Sequence, residues 1–299
     1  MANPVLETIT TQTDTISGSA NFNVSFPSGL TAGDELCIFL GFWNATSLGV
    51  FTVPSGWTSQ FNGGNPGIAF DTTRAYAILT KTASAGDVSA GSVNIAMTSG
   101  AGTIATTATC CRVSGAVPAS NTITADHEND GSAATTFTYA NISVAPPTAE
   151  SLLLIGYFAY DDATKTSSTY STTPSTTLTE QTDFDVNFGS IYVHQAVVSA
   201  DVDGTTAIED PVVVYNNEVG QAACVAVLYS TPQNATANVS RLTVTPELRS
   251  LTGSNSATAN VSRLDVTPEF RSVTAKSTSD RTRWNNPTKE NTDWNNPTL

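Results

Sequence analysis

Residues 21–43 read NFNVSFPSGLTAGDELCIFLGFW, and residues 137–160 read FTYANISVAPPTAESLLLIGYFAY. Both pass from an alternating strand through a Pro-bearing turn and a Thr-Ala-acidic step into a long apolar run. Superposing the runs sets Leu36 against Leu152, Cys37 against Leu153 and Ile38 against Leu154. The parallel continues downstream. VPSGWT at 53–58 matches TTPSTTLT at 172–179, AYAILTKTASAGD at 75–87 matches VHQAVVSADVDG at 193–204, and IATTATCCRVSG at 104–115 matches GQAACVAVLYST at 220–231, always 116 to 120 residues apart. A body spanning 1–231 is therefore expected to carry a weak internal duplication, about 20–115 and 137–231, with some six strands per half.

No stretch keeps helical apolar spacing over three turns. Runs of five to ten residues with strand period, separated by Gly, Pro, Ser and Asp turns, predict an all-β protein with a jelly-roll-like β-sandwich body. The runs at 36–43 and 152–160 are apolar at every position, so each must be covered on both faces, by a second sheet or by a subunit interface. One body is preferred over two, because no clean boundary separates the halves; whether it holds one wide sandwich or two small ones stays open.

Charge divides the chain. The 299 residues carry a net charge of −14. Residues 1–231 hold 4 Lys+Arg against 20 Asp+Glu, net −16, and residues 232–299 hold 8 against 6, net +2. The body repels nucleic acid, and the tail is suited to an acidic surface, another body included. No basic-apolar leader and no 18-residue apolar run is present, so neither export nor a membrane is expected. The four cysteines are then expected to be free and buried, with Cys110 and Cys111 on opposite faces of one strand.

The tail, 232–299, is extended and strand-like in pattern. ATANVSRLTVTPELRSLT at 235–252 recurs as ATANVSRLDVTPEFRSVT at 257–274, with 15 of 18 letters unchanged. Leu242, Val244 and Leu248 alternate with Arg241, Thr243 and Arg249, and Leu264, Val266 and Phe270 alternate likewise. So short an apolar row does not offset the entropy of ordering its own backbone, and Pro246 and Pro268 remove ladder donors. Each copy needs a neighbour to fold on. RWNNPTK and DWNNPTL add Trp284 and Trp294 without surrounding apolar sequence, as docking anchors would.

The succession LTAGDELCIFLGFW, VPSGWT, AYAILTKTASAGD resembles the β-sandwich bodies of tailed-bacteriophage virion proteins, over roughly residues 20–115. The VTPELRSLT and WNNPT repeats resemble the short terminal repeats of phage tail, neck and fibre proteins. The resemblance implies a structural or adhesive role and transfers no catalytic residue. A strand-built, Asn/Thr/Gly-rich protein folded in a cytoplasm also fits a virion component assembled there.

Candidate sites are few. In ADHENDG, Asp126, Glu128 and Asp130 hold positions 1, 3 and 5 of a calcium loop, but position 12 is Phe137 where a bidentate Glu is required, so a solvated acidic turn is expected, with a weak cation site as the alternative. Asp183 with Asp185, and Asp201 with Asp203, are expected in turns or on edges. His127 and His194 lack the motif contexts of hydrolases, and structural placement is expected. Trp43, Phe51, Trp57 and Phe61 could stack on a sugar, although core packing is the simpler reading. No cofactor is expected. The expected function is a non-enzymatic virion subunit that associates with copies of itself, a trimer among the options, and with other virion proteins. The alternative is an adhesin that binds a host surface glycan; a glycan depolymerase is a third, weaker reading.

Overall fold

The structure is a computed structural model that describes residues 3–44, 50–59, 68–69, 74–115, 122–128, 134–146, 151–161, 164–189, 191–202, 206–219 and 221–230. The fold is all-β and sandwich-like, as the alternating and doubly apolar runs require. The first half contributes β1 (Val5–Ser25), β2 (Glu35–Asn44), β3 (Val50–Thr52), β4 (Thr58–Ser59), β5 (Ile68–Ala69), β6 (Arg74–Thr82), the helix α1 (Ala85–Ala90) and β7 (Ser92–Ser114). The second contributes β8 (Thr122–Glu128), β9 (Ala134–Thr138), β10 (Ser143–Val144), β11 (Ser151–Asp161), β12 (Ser167–Thr173), β13 (Thr179–Phe188), β14 (Ile191–Val202), β15 (Ile208–Val219) and β16 (Gln221–Ser230). Both halves lie within one compact unit, Met1–Pro232.

The main sheet of the first half runs β1-β7-β2-β6-β4. Its two longest strands also build the layer that covers it. In β7, residues 103–114 pair with 5–17 of β1, residues 92–98 pair with 19–25, and β3 lies along 96–98. The change of layer falls where the register shifts between Ser17 and Ser19. Gly18 and Gly102 hold positive φ at that bend, 70° and 84°, a conformation that a side chain would strain. The enclosed core takes the even positions of β2 (Leu36, Ile38, Leu40, Phe42) and, from the covering layer, Phe22, Val24, Phe51, Ile95 and Met97.

The second half repeats the strand order. Its main sheet is β8-β16-β11-β14-β13, and a separate four-stranded sheet, with β15 between β12 and the short β9 and β10, covers it. Its core takes the odd positions of β11 (Leu153, Ile155, Tyr157, Ala159) together with Phe137, Tyr139, Val213 and Tyr215. Here, among the described residues, no strand crosses from one layer to the other.

The remaining faces of β2 and β11 pack on each other. Cys37, Phe39, Trp43, Leu152, Leu154, Phe158 and Tyr160 share a third core with Tyr76, Cys111, Val197, Val227 and Tyr229. Two glycines make the close approach possible. A Cβ on Gly156 would overlap the Phe39 ring, and one on Gly41 would lie 3.0 Å from Phe158. Each strand thus inserts a phenylalanine over the other's glycine, and Phe158 stacks on Tyr76 at 5.4 Å. Gln195 clamps the seam, donating to Phe39 O at 3.0 Å and accepting from Thr109 Oγ1 at 2.8 Å, while Tyr160 donates to Ala75 O at 2.8 Å. The double apolarity of both runs follows from this: each strand faces its own sandwich on one side and the other sandwich on the other.

This geometry corrects the sequence superposition by one residue. Leu36 faces the first sandwich, but Leu152 faces the seam. The pairing that preserves facing is Cys37 with Leu154, Phe39 with Gly156 and Gly41 with Phe158. A slip of one exchanges the faces of a strand, and in an unbroken apolar run the letters do not register it.

Candidate functional site

Among the described residues, a dense cluster of chemically capable side chains lies at one end of the second sandwich, on β13 and β14. These strands form a hairpin that turns at Gly189, φ 68°, with Asp185 directly opposite His194. Strand period puts Asp183 on the face of Asp185, and His194 on the core-facing side with Ala196 and Val198. The covering strand β12 enters above them. The backbone N–H of Lys165 donates to Asp185 Oδ2 at 3.0 Å, and that of Ser167 donates to Asp183 Oδ2 at 2.8 Å.

His194 is fully buried. Its Nδ1 lies 3.0 Å from Asp185 Oδ1, and its Nε2 lies 3.0 Å from Ser167 Oγ and 3.4 Å from Asp183 Oδ1. Tyr215 meets the ring edge-on at 5.4 Å. Loss of hydration raises the Asp183 carboxyl above its ordinary range; the facing His194 and the Ser167 N–H oppose this without cancelling it. Lys165, with its side chain 2% exposed, pairs with Asp161 Oδ2 at 2.8 Å and donates to the Glu218 carbonyl. Every member of this plug has a stated partner, as buried polar groups require.

Ser167, His194 and Asp185 have the order of a nucleophile, a base and an orienting carboxylate. Ser167 and His194 are shielded from solvent. His194 has no exposed surface, Ser167 has 6%, and Ser167's N–H, which could have met an oxyanion, is bonded to Asp183. The arrangement fixes the end of β12 onto the β13–β14 hairpin. It also points charge inward from β13, an edge strand of its sheet, which discourages further strands from adding there.

A second sealed cluster sits in the seam. Glu35 is 1% exposed and its Oε1 has no hydrogen-bond partner. Burial pushes its carboxyl up to about 7, opposed by a bond from Thr82 and reinforced by Asp34. Burial likewise lifts the Cys37 thiol to about 12, with the Tyr229 hydroxyl beside it. Asp34 behaves in the opposite way: burial alone would raise it, but Thr31 and Arg112, whose Nε is 2.7 Å away, hold it below its usual range.

The residues singled out from the sequence fall as follows. Asp126, His127 and Glu128 lie in strand β8, paired with Cys224, Ala223 and Ala222, and not in the acidic turn expected of ADHENDG. An extended backbone does not wrap an ion as a calcium loop does. Asp130 lies outside the described residues. Among those described, no group of three His, Cys, Asp or Glu side chains is placed to hold a metal. Asp183 and Asp185 are on an edge strand as expected, but they serve the His194 plug. Asp201 is the penultimate residue of β14, exposed on a strand that lies between β13 and β11 rather than in a turn or on an edge strand, and Asp203 lies outside the described residues. Trp43, Phe51 and Trp57 are core residues, and Phe61 lies outside the described residues. The assembly residues Leu242, Val244, Leu248, Leu264, Val266, Phe270, Trp284 and Trp294 also lie outside them.

No family model matches the chain, and no curated protein matches it. Among solved structures, one described as the crystal structure of the STIV MCP is similar with a TM-score of 0.24 and 9% identity, over 77% of this chain and 100% of that one. A likeness at that level carries no argument.

Proposed function

We propose that the protein is a non-enzymatic structural subunit of a tailed-phage particle, an appendage, fibre or decoration protein that joins copies of itself and other virion proteins through residues 232–299. One observation carries the reading. Two sandwiches of like strand order are clamped face to face into a block whose apolar faces are enclosed in three cores, and the same chain continues into a near-exact, strand-period repeat of opposite net charge. Among the described residues, the large apolar side chains left exposed are Val5 and Val88. A closed, acidic block with a basic, two-faced repeat is built to be joined through the repeat.

The test is sedimentation of the full chain beside a Leu242→Asp, Leu264→Asp variant. The native chain is expected to sediment as an oligomer and the variant as a monomer, with Thr243→Asp, already present as Asp265 in the second copy, tolerated. Normal assembly of the double variant would sink the reading. Of the aromatics that could stack on a sugar, Trp43, Phe51 and Trp57 pack in cores; tight binding of purified protein to host surface glycan would favour the adhesin alternative. Release of oligosaccharide from that glycan, abolished by changing one body carboxylate, would overturn the non-enzymatic assignment.

A further inference from the structure

Four cysteines lie among the described residues, none in a disulfide and all buried. Two of them face each other. Cys37 on β2 and Cys111 on β7 are directly opposed across an antiparallel ladder, and both point into the seam between the sandwiches. Opposed residues of such a ladder have Cα atoms about 4.5 or 5.5 Å apart, and both values lie within the roughly 4.4–6.8 Å that a disulfide spans. The other two are placed differently. Cys110 points into the first sandwich opposite Ile38, and Cys224 points into the second, opposite Tyr157 and Asp126.

We propose that Cys37 and Cys111 are a disulfide-forming pair, closed by exchange with a small-molecule disulfide to staple β2 to β7 on the face that meets the second sandwich. The chemistry balances in two displacements. The Cys37 thiolate attacks one sulfur of the small disulfide, forming a mixed disulfide and releasing one small thiolate. The Cys111 thiolate then attacks Cys37 Sγ and releases the second. The two protons lost by the protein go to the two departing thiolates; the protein pair is oxidised and the small disulfide is reduced to two thiols.

Burial sets the conditions. Neither thiol has exposed surface, and the enclosed thiols resist ionisation. Exchange therefore requires the seam to open or the chain to be still folding. The intact protein stays reduced for long periods, whereas a chain refolding in an oxidising buffer closes the pair as β2 and β7 register. A closed link joins residues 74 positions apart in sequence and constrains the unfolded chain accordingly.

The experiment refolds the full chain from denaturant in mixed oxidised and reduced glutathione, counts free thiols and maps cross-linked peptides by mass. The expected result is two thiols left of four, one linked peptide pair containing Cys37 and Cys111, and a Tm several degrees above that of the reduced protein. Cys110→Ser and Cys224→Ser should keep the link; Cys37→Ala and Cys111→Ala should lose it. Native protein held in the same buffer should oxidise at least 100-fold more slowly than refolding protein. Four free thiols after refolding, or a dominant link between any other two cysteines, would overturn the proposal, and the mapping on the unmodified chain decides this even if a variant fails to fold.

Discussion

The two sandwiches share a strand order and close in different ways. In the first, β1 and β7 run on from the main sheet into its cover, so covalent continuity holds the layers together and the core between them is apolar. In the second, the cover is a sheet of its own, and the Lys165–Asp161 pair and the His194 plug join it to the main sheet beside the apolar core. One topology can be locked by chain or by charge. The charged lock is the more fragile, because removing one partner strands another in a dry site.

Four measurements test that contrast. The largest effect is expected for Lys165→Met, which leaves Asp161 and the Glu218 carbonyl without their cation and should lower stability to denaturant by roughly 4 kcal/mol. The matching Lys81→Met change, at a partly exposed pair with Asp87 2.6 Å away, should lose no more than about 1 kcal/mol. Equal losses would mean that both sandwiches are locked alike.

Next is pH. Glu35 is held near 7 in the folded protein against 4.5 ordinarily. Below 4.5 it is protonated whether folded or not, and its burial carries no charge penalty. Between 4.5 and 7 the unfolded chain gives up the proton while the folded protein keeps it, so stability falls as pH rises, by about 3 kcal/mol in all. Glu35→Gln should flatten that part of the profile in chemical unfolding followed from pH 4 to 8. A profile unchanged by the substitution would remove Glu35 as its source.

At the seam, Gly156→Ala should lose roughly 2 kcal/mol by overlap with Phe39, and Gly41→Ala somewhat less. Adding Phe39→Leu should recover part of the Gly156→Ala loss in a double-mutant cycle; strict additivity would deny the insertion. The smallest effect is expected at α1. Ser84 caps this six-residue helix in a reciprocal box with Asp87, and Ser84→Ala should lower stability by about 1 kcal/mol.

Much of the fold was legible, and the reasons are local. Strand period and turn residues gave the all-β class. The unbroken apolar runs announced strands covered twice, and the neighbouring Cys110 and Cys111 do point to opposite cores. The exact facing was not legible, because Leu36 and Cys37 are both apolar and the alignment slips between them at no visible penalty. The plug was missed for another reason. TDFDVN followed by IYVHQ contains the signal, since a tight turn between them brings Asp185 opposite His194, but the letters alone read as edge carboxylates and a strand histidine. Ser167 and Lys165 come from a different sheet, and only the packing of sheet on sheet brings them in. At Asp126 the calcium-loop spacing misdirected the reading toward a turn, where pairing with β16 selects a strand.

The last described residue, Ser230, ends β16, and β16 lies between β11 and β8 with rungs on both sides. Tension applied along its axis through whatever follows Ser230 would pull this strand lengthwise. Its ladders are loaded in shear, all rungs together, and not peeled one rung at a time as an edge strand pulled sideways would be. Ser230 also stands opposite Ser151, the first residue of β11, so the rungs nearest the load join two buried central strands. A joint made through residues 232–299 would be anchored at the part of the second sheet best placed to bear force.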